Sequence, residues 1–440
     1  MSENTPAPPL VVHENFLLDD RIRGVPPGTS GLDSRQVGQQ GWHPADGRMS
    51  LPLLTLDEAA FASNRELFLR YVAEHGAEIA PHAKTPMAPD LARSLVEAGA
   101  WGTTVADIRQ ATVMLKAGLT RLIIANEVGG AGGANRLAAL AGAWPQAELY
   151  VFADSVDAVE ALAQAWRANA ALAPLRVLVE LGVARAGART TAVAEAIADA
   201  IAATGGRLLI AGVATYEGAA AQPDPVRTEE VVSALLANVG DMFLRLRARV
   251  GGEAPLIVTA GGSVFFDKVI AALSPVVAKD SNARLVLRSG AIFFHDHGVY
   301  DRSLGAVDAR NGFTVNGASV SARRLFRPAL RIWAEVLSRP EPSLAICGMG
   351  MRDVSFDQGF PKPLMVHRAG HALAAPPKAE VIKLNDQHAF LSLQPGDDIA
   401  VGDVVEFGIS HPCTCLDRYR VIFGVDGNGH VAHAFPTYFG

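Results

Sequence analysis

The chain is short of cysteine, of lysine and of net charge, and each shortage narrows what it can be. Its three cysteines, Cys347, Cys413 and Cys415, are too few for a disulfide framework and fit a reducing compartment. A net charge of -6 gives no reason to expect nucleic acid or an anionic membrane as partner. Every alanine-rich segment is broken by Gly, Pro or a charge, so no apolar run is long enough to span a bilayer. Met1 to Pro9 has neither the basic nor the apolar stretch of a secretory signal, and a cytoplasmic protein is expected. Internal repeats and long low-complexity tracts are also missing.

What is present is a globular composition, 49% hydrophobic and 19% charged, on a chain of 440 residues that exceeds the usual size of one domain. Residues 1–48 are rich in Pro, Gly and polar residues and read as an arm, partly ordered at best, packing on the β-rich part. Leu51 to Leu56 is the first strong strand. Strand-like runs then alternate with helix-period segments. The runs are at Glu78–Ala80, Gly102–Thr104, Arg121–Ala125, Glu148–Phe152, Arg176–Glu180, Leu208–Val213, Leu256–Thr259 and Leu285–Leu287. Such alternation predicts a (β/α)8 barrel over 49–305, with a doubly wound open sheet as the alternative. No G-x-G-x-x-G follows an early strand, which weighs against a dinucleotide fold. After about residue 300 the alternation stops. Short strand-like runs between turn signals predict a β-rich domain over 306–440.

Several stretches can carry chemistry. Glu78 to Pro81 reads as a short buried strand ending on His82, Ala83, Lys84 and Thr85, at the mouth where barrels keep their active sites. A lysine desolvated there becomes a nucleophile toward carbonyls; by spacing alone it is equally an ordinary loop lysine. Thr259 to Ser263 follows the seventh barrel strand. The bare backbone of Gly261 and Gly262, with the Ser263 hydroxyl, suits a phosphate, and Arg288, Ser289 and Gly290 after the next strand complete the cup. Arg185, after another strand, suits a carboxylate, a phosphate or a ring nitrogen, or forms a surface salt bridge. Tyr216 offers a phenol at the same face, or packs as a core residue. In an extended segment His411, Cys413 and Cys415 point the same way, so imidazole and thiolate can share one metal, most naturally zinc. The plain alternative is buried cysteines beside a packed histidine. Asp386 to His388 is either support for that site or a turn. His295 and His297 are read as structural or pocket-wall residues.

Pro81-His82-Ala83-Lys84-Thr85 resembles the P-H-x-K-T motif of the D-threonine aldolase and D-serine dehydratase family, pyridoxal-phosphate enzymes with an alanine-racemase-like (fold type III) barrel. The Gly-Gly-Ser loop late in the barrel and His411-x-Cys413 in the β-rich tail follow in the family's order, from about Leu51 to Asp426, closest to the bacterial D-serine deaminase-like branch. The resemblance implies that Lys84 holds pyridoxal 5'-phosphate as a Schiff base and then takes the α-proton of a D-amino acid. His82 orients the cofactor or relays protons, and Arg185 or Tyr216 contacts the pyridine ring. His411 and Cys413 bind a divalent metal, H-x-C pointing to zinc and dehydration, where the aldolases more often carry H-x-D. The implied activity is D-serine dehydratase-like, yielding a 2-keto acid and ammonia. A D-threonine aldolase-type cleavage, a dehydratase of a larger hydroxy amino acid and a non-catalytic cofactor carrier are the alternatives. A homodimer, with the β domain of one chain reaching the other's site, is implied too. The chain departs from its relatives at Gly182 to Arg189, which lacks their tight double glycine, and at the extra thiol of Cys415.

Overall fold

The computed structural model describes residues 10–262, 264–374 and 376–440. Eight parallel strands form one ring: β2 (Glu78–Ile79), β3 (Thr103–Val105), β4 (Arg121–Ile124), β5 (Glu148–Ala153), β6 (Leu175–Leu181), β7 (Leu208–Thr215), β8 (Leu256–Ala260) and β9 (Ala283–Leu287). They correspond to the eight strand-like runs of the sequence. Neighbours pair in chain order, and β9 pairs back with β2. Backbone bonds from Trp101 N to Ile79 O and from Thr104 N to Pro81 O join β2 to β3 and close the ring. The architecture is the expected one, a curled parallel barrel joined to a β-rich domain.

Side-chain size explains the closure. Ala80, Ile123, Phe152, Leu178, Ile257 and Val286 fill the interior, each from a different part of the ring. Gly212, at φ +134° in β7, lies where a Cβ would come within 1.8 Å of the Ile257 carbonyl oxygen, so only glycine lets these strands meet. The return helices begin on side-chain caps. Asp107 accepts from Gln110 N before α3 (Ile108–Lys116). Ser155 and Thr190 do the same before α5 (Val156–Ala168) and α6 (Thr191–Ala202). Further helices are α1 (Glu58–Glu74), α2 (Pro89–Glu97) and α4 (Gly130–Ala143).

The second domain is a ten-stranded, largely antiparallel sheet centred on β10 (Leu330–Glu341), which resolves a stretch whose sequence fits a helix or a strand pair. Here the division at residue 49 needs correcting. Strand β1 (Leu53–Asp57) pairs antiparallel with β10 and parallel with Val421–Val425, so the chain starts in the β-rich sheet before it builds the barrel. All but its last residue are buried, which two paired neighbours require and a barrel edge would not supply. The arm also departs from the partly ordered reading. Leu18, Ile22, Val25, Val37 and Trp42 pack on Trp333 and Phe423 of the β-rich sheet. Each such buried side chain contributes roughly 1.5–3 kcal/mol, enough together to order a Pro/Gly-rich segment.

Candidate active site

Lys84 follows β2 at the C-terminal mouth of the barrel, and its side chain is exposed there. The desolvated lysine expected from the apolar neighbours is therefore not found, because the turn after His82 carries it out of the packed wall. Its backbone N–H donates to His82 Nδ1 at 3.4 Å, which fixes that nitrogen as an acceptor. Burial, then the positive charges of Lys84, Arg288 and Arg185, hold His82 well below the usual histidine range. His82 is thus a neutral imidazole at physiological pH.

Arg288, at the end of β9, is buried and spans the barrel, donating to Thr259 Oγ1 at 2.8 Å and to the Thr215 carbonyl at 2.7 Å. It also lies over the Phe152 ring at 5.4 Å. Arg185 stacks on Tyr216 with its guanidinium carbon 4.8 Å from the ring centroid. The loop that carries it is tight despite lacking a double glycine. Gly182 and Gly187 abut, so that a Cβ on Gly182 would meet the Ala186 carbonyl oxygen at 1.9 Å. Glu180, at the end of β6, is 1% exposed. Burial and a hydrogen-bonded Glu127 raise its carboxyl far above the ordinary 4.5, so this pair holds a proton between them.

The glycine loop is arranged differently from the expected cup. Gly261 N–H already donates to the buried Glu217 at 3.0 Å, and the Ser289 hydroxyl bonds the Gly261 carbonyl. Ser289 therefore ties the two phosphate-side loops together. Gly290 lets the chain pass His82, since a Cβ there would stand 2.4 Å from the His82 carbonyl oxygen. Gly262 lies against the Tyr216 ring, 3.5 Å from where its Cβ would be. Ser263 lies outside the described residues. With a lysine, two guanidinium groups and a glycine loop at one mouth, the donor set fits an anionic aromatic aldehyde such as pyridoxal phosphate.

The pair from the β-rich domain arrives at the same mouth. Cys413 Sγ is 3.3 Å from Thr85 Oγ1, next to Lys84, so the tail of this chain reaches its own barrel. The local geometry corrects the extended reading: Pro412–Leu416 is a short helix started by Pro412, with His411 at its N-cap. Cys415 consequently turns into the core, where burial pushes its thiol up to about 12, while Cys413 stays beside His411. The Cys413 side chain, then Asp357, raise His411 to about 9. His411 Nδ1 donates to Asp357 at 2.6 Å, and Thr414 donates to the other oxygen at 2.7 Å. That orientation leaves Nε2 for a metal, as metal-binding histidines require. Among the described residues no set of three or more His, Cys, Asp or Glu is arranged to hold a metal. His411 and Cys413 fit a two-residue site with open positions, and their softness suits zinc. Asp386 to His388 is an exposed turn, with Asp386 pairing Arg352 at 3.4 Å. Burial lowers His295 to about 4 and His297 to about 3, so both are neutral wall residues.

Sequence reasoning missed Asp357 and Glu127, and saw Arg288 only as part of a loop. Asp357 stands 54 residues before its histidine, and nothing local marks it. The segment from His297 to Val299 is strapped to the chain just before His411 by His297 N to Ile409 O and Val299 N to Ser410 O. Among the described residues no helix is long and apolar enough to cross a membrane.

Comparison with known proteins agrees with this geometry. Residues 56–263 match the alanine racemase N-terminal domain family, and residues 329–425 match the family described as a putative serine dehydratase domain. The chain is 25% identical to a D-threonine aldolase of Arthrobacter sp over 79% of its length and 82% of that protein. It is also 25% identical to a 3-hydroxy-D-aspartate aldolase of Paracoccus denitrificans, over 72% and 76%. In three dimensions it resembles D-threonine aldolase from Filomicrobium marinum, with TM-score 0.69, 25% identity, and 89% of this chain and 95% of that one covered. The fold is shared with D-threo-3-hydroxyaspartate dehydratase from Delftia sp. HT23 at TM-score 0.65 and 20% identity, covering 89% and 98%. A cysteine-to-alanine variant of that dehydratase is described as metal-free. The chain therefore joins an alanine racemase-type N-terminal domain to a D-serine dehydratase-like domain, and its homologues are D-threonine aldolases and 3-hydroxy-D-aspartate aldolases.

Proposed function

We propose that this protein is a pyridoxal-phosphate- and metal-dependent lyase that removes the β-hydroxyl of a D-3-hydroxy amino acid, D-serine or a larger relative, giving a 2-keto acid and ammonia. The observation that carries this reading is the 3.3 Å approach of Cys413 to Thr85, which sets the His411–Cys413 pair beside Lys84. Bound pyridoxal phosphate supplies an electron sink for charge developing at Cα. A metal on His411 and Cys413, by preference zinc, supplies a Lewis acid for the departing hydroxyl.

The remaining work falls to side chains of this chain. Lys84 Nζ would hold the cofactor, and the same amine is the base that would take the α-proton. Neutral His82, with Nδ1 facing the Lys84 backbone, keeps that turn in place. Buried Arg288 offers a fixed cation at the closed end of the mouth, and Arg185 with Tyr216 forms its side wall. Gly261, Gly262 and Gly290, with Ser289 tying the loops, shape the phosphate end. Asp357 holds the His411 ring. The protein acts as a homodimer, which sedimentation would test.

Retro-aldol cleavage is the second reading, favoured by relatives named as aldolases. Cys413, rather than a carboxylate, as partner to His411 favours dehydration, as does the dehydratase-type domain over 329–425. The test is product analysis with D-serine, D-threonine and D-3-hydroxyaspartate. Ammonia and a 2-keto acid are expected; glycine and an aldehyde without ammonia would overturn dehydration. Lys84→Ala should lose both the visible cofactor band and turnover, and wild-type activity in that variant would sink the cofactor role.

A further inference from the structure

The barrel carries a second concavity that this chemistry does not use. It lies on the β3–β4 side, between α2, α3, the start of α4, the arm at 13–14 and Tyr438, with a volume of about 830 Å³. That is the size of a small-molecule pocket.

Four acids and four lysine or arginine side chains line it, and they differ in how far they are engaged inside the protein. Asp90 accepts from the backbone N–H groups of His13 and Glu14. Asp107 caps α3, the Tyr438 hydroxyl holds Glu14, and Glu127 is hydrogen-bonded to Glu180. All four acids of the lining are therefore engaged. Two of the four cations are not. Lys116 and Arg136 have no hydrogen bond or ion pair among the described residues, and Arg109 gives one N–H to the Tyr438 carbonyl. Arg93 pairs with Asp90 at 4.0 Å and gives an N–H to the Ala117 carbonyl. Lysine and arginine side chains free of internal partners around one concavity suit a carboxylate.

We propose that this cavity binds a small carboxylate, at a site separate from the cofactor mouth. Glu127 belongs both to the cavity and to the carboxyl pair at the end of β6, so the site abuts the barrel interior. The ligand is either a substrate held on its way in or a separate effector of the same chemistry.

The probe is malate, which carries a hydroxyl beside a carboxylate but has no amine to react with the cofactor aldehyde. Calorimetry on cofactor-saturated protein should show binding, weakened by about tenfold or more in the Lys116→Ala/Arg136→Ala double variant. Both side chains are exposed, so melting temperature and the cofactor band should not move. Competitive inhibition by malate that the double variant relieves marks a substrate antechamber, and non-competitive inhibition marks an effector site. No heat at millimolar malate, or equal affinity in the double variant, overturns the proposal. So does loss of binding that comes with a changed oligomeric state, which would give this face to a subunit contact. The calorimetry reads out whether or not any lyase activity is found.

Discussion

Asp357→Ala is the sharpest test of the metal reading, because the residue touches no metal and acts only through His411. The carboxylate receives the Nδ1 proton at 2.6 Å, which sets the tautomer and aims Nε2 outward. Loss of such a partner weakens metal binding by about 10- to 100-fold, or about 1.4–2.7 kcal/mol. An opposing effect must be separated from it. Asp357 also helps raise His411 to about 9, so below that pH a proton competes with the metal, and removing the carboxylate relieves part of this competition. The difference between variant and wild type should therefore be smaller near neutral pH and full above about pH 9, where His411 is neutral in both proteins. The assay is a metal titration against a competing chelator at both pH values, with the cofactor bound. The Asp357 side chain is 42% exposed, so fold stability should fall by no more than about 1 kcal/mol. Equal metal affinity at high pH would refute the orienting role, and with it the assignment of His411 as a ligand.

Three further outcomes are expected. Cys413→Ala should keep the visible cofactor band while losing metal and turnover; unchanged kinetics would remove the metal from the mechanism. Gly290→Ala places a methyl group 2.4 Å from the His82 carbonyl oxygen and should cost roughly 1–3 kcal/mol, read as a lower melting temperature; an unchanged melting curve would show that the two loops can part freely. Glu180 has its carboxyl raised in the folded protein, so the native state binds more protons than the unfolded chain above pH 4.5, and stability falls as pH rises through that window. Glu180→Gln should remove this decline and gain most at alkaline pH, measured by denaturant titration at several pH values. A variant that tracks the wild type at every pH would mean the pair is not protonated.

The elements that could be read from the sequence are those whose signal is local. The runs that became the barrel strands are short apolar stretches between amphipathic helices, and alternation alone exposes them. Lys84 and the His411–Cys413 pair stand in short motifs, visible without any knowledge of what they face. Where the local signal misled, a distant partner was responsible. Leu53–Asp57 is apolar enough for any sheet, and only its pairing with Leu330–Glu341, hundreds of residues later, sends it to the β-rich domain. The arm, residues 1–48, has a disordered composition, yet a few of its apolar side chains, among them Leu18 and Trp42, find a waiting surface around Trp333 and Phe423.

The sequence by itself therefore determined the class of fold, the order of its elements and the residues able to do the chemistry, because helix period, strand alternation and reactive side-chain type are properties of neighbours in the chain. Only the tertiary structure decided what those residues do to one another. It turned Cys415 inward, through a helical turn at Pro412 that the extended reading did not contain. It gave Asp357 to His411 and Thr85 to Cys413, across separations of 54 and 328 residues. It also spent the Ser289 hydroxyl on a loop carbonyl and placed Arg288 across the barrel floor of the mouth. Contacts of that kind arise from packing whole elements together, and no spacing rule in one chain encodes which side chain will meet which.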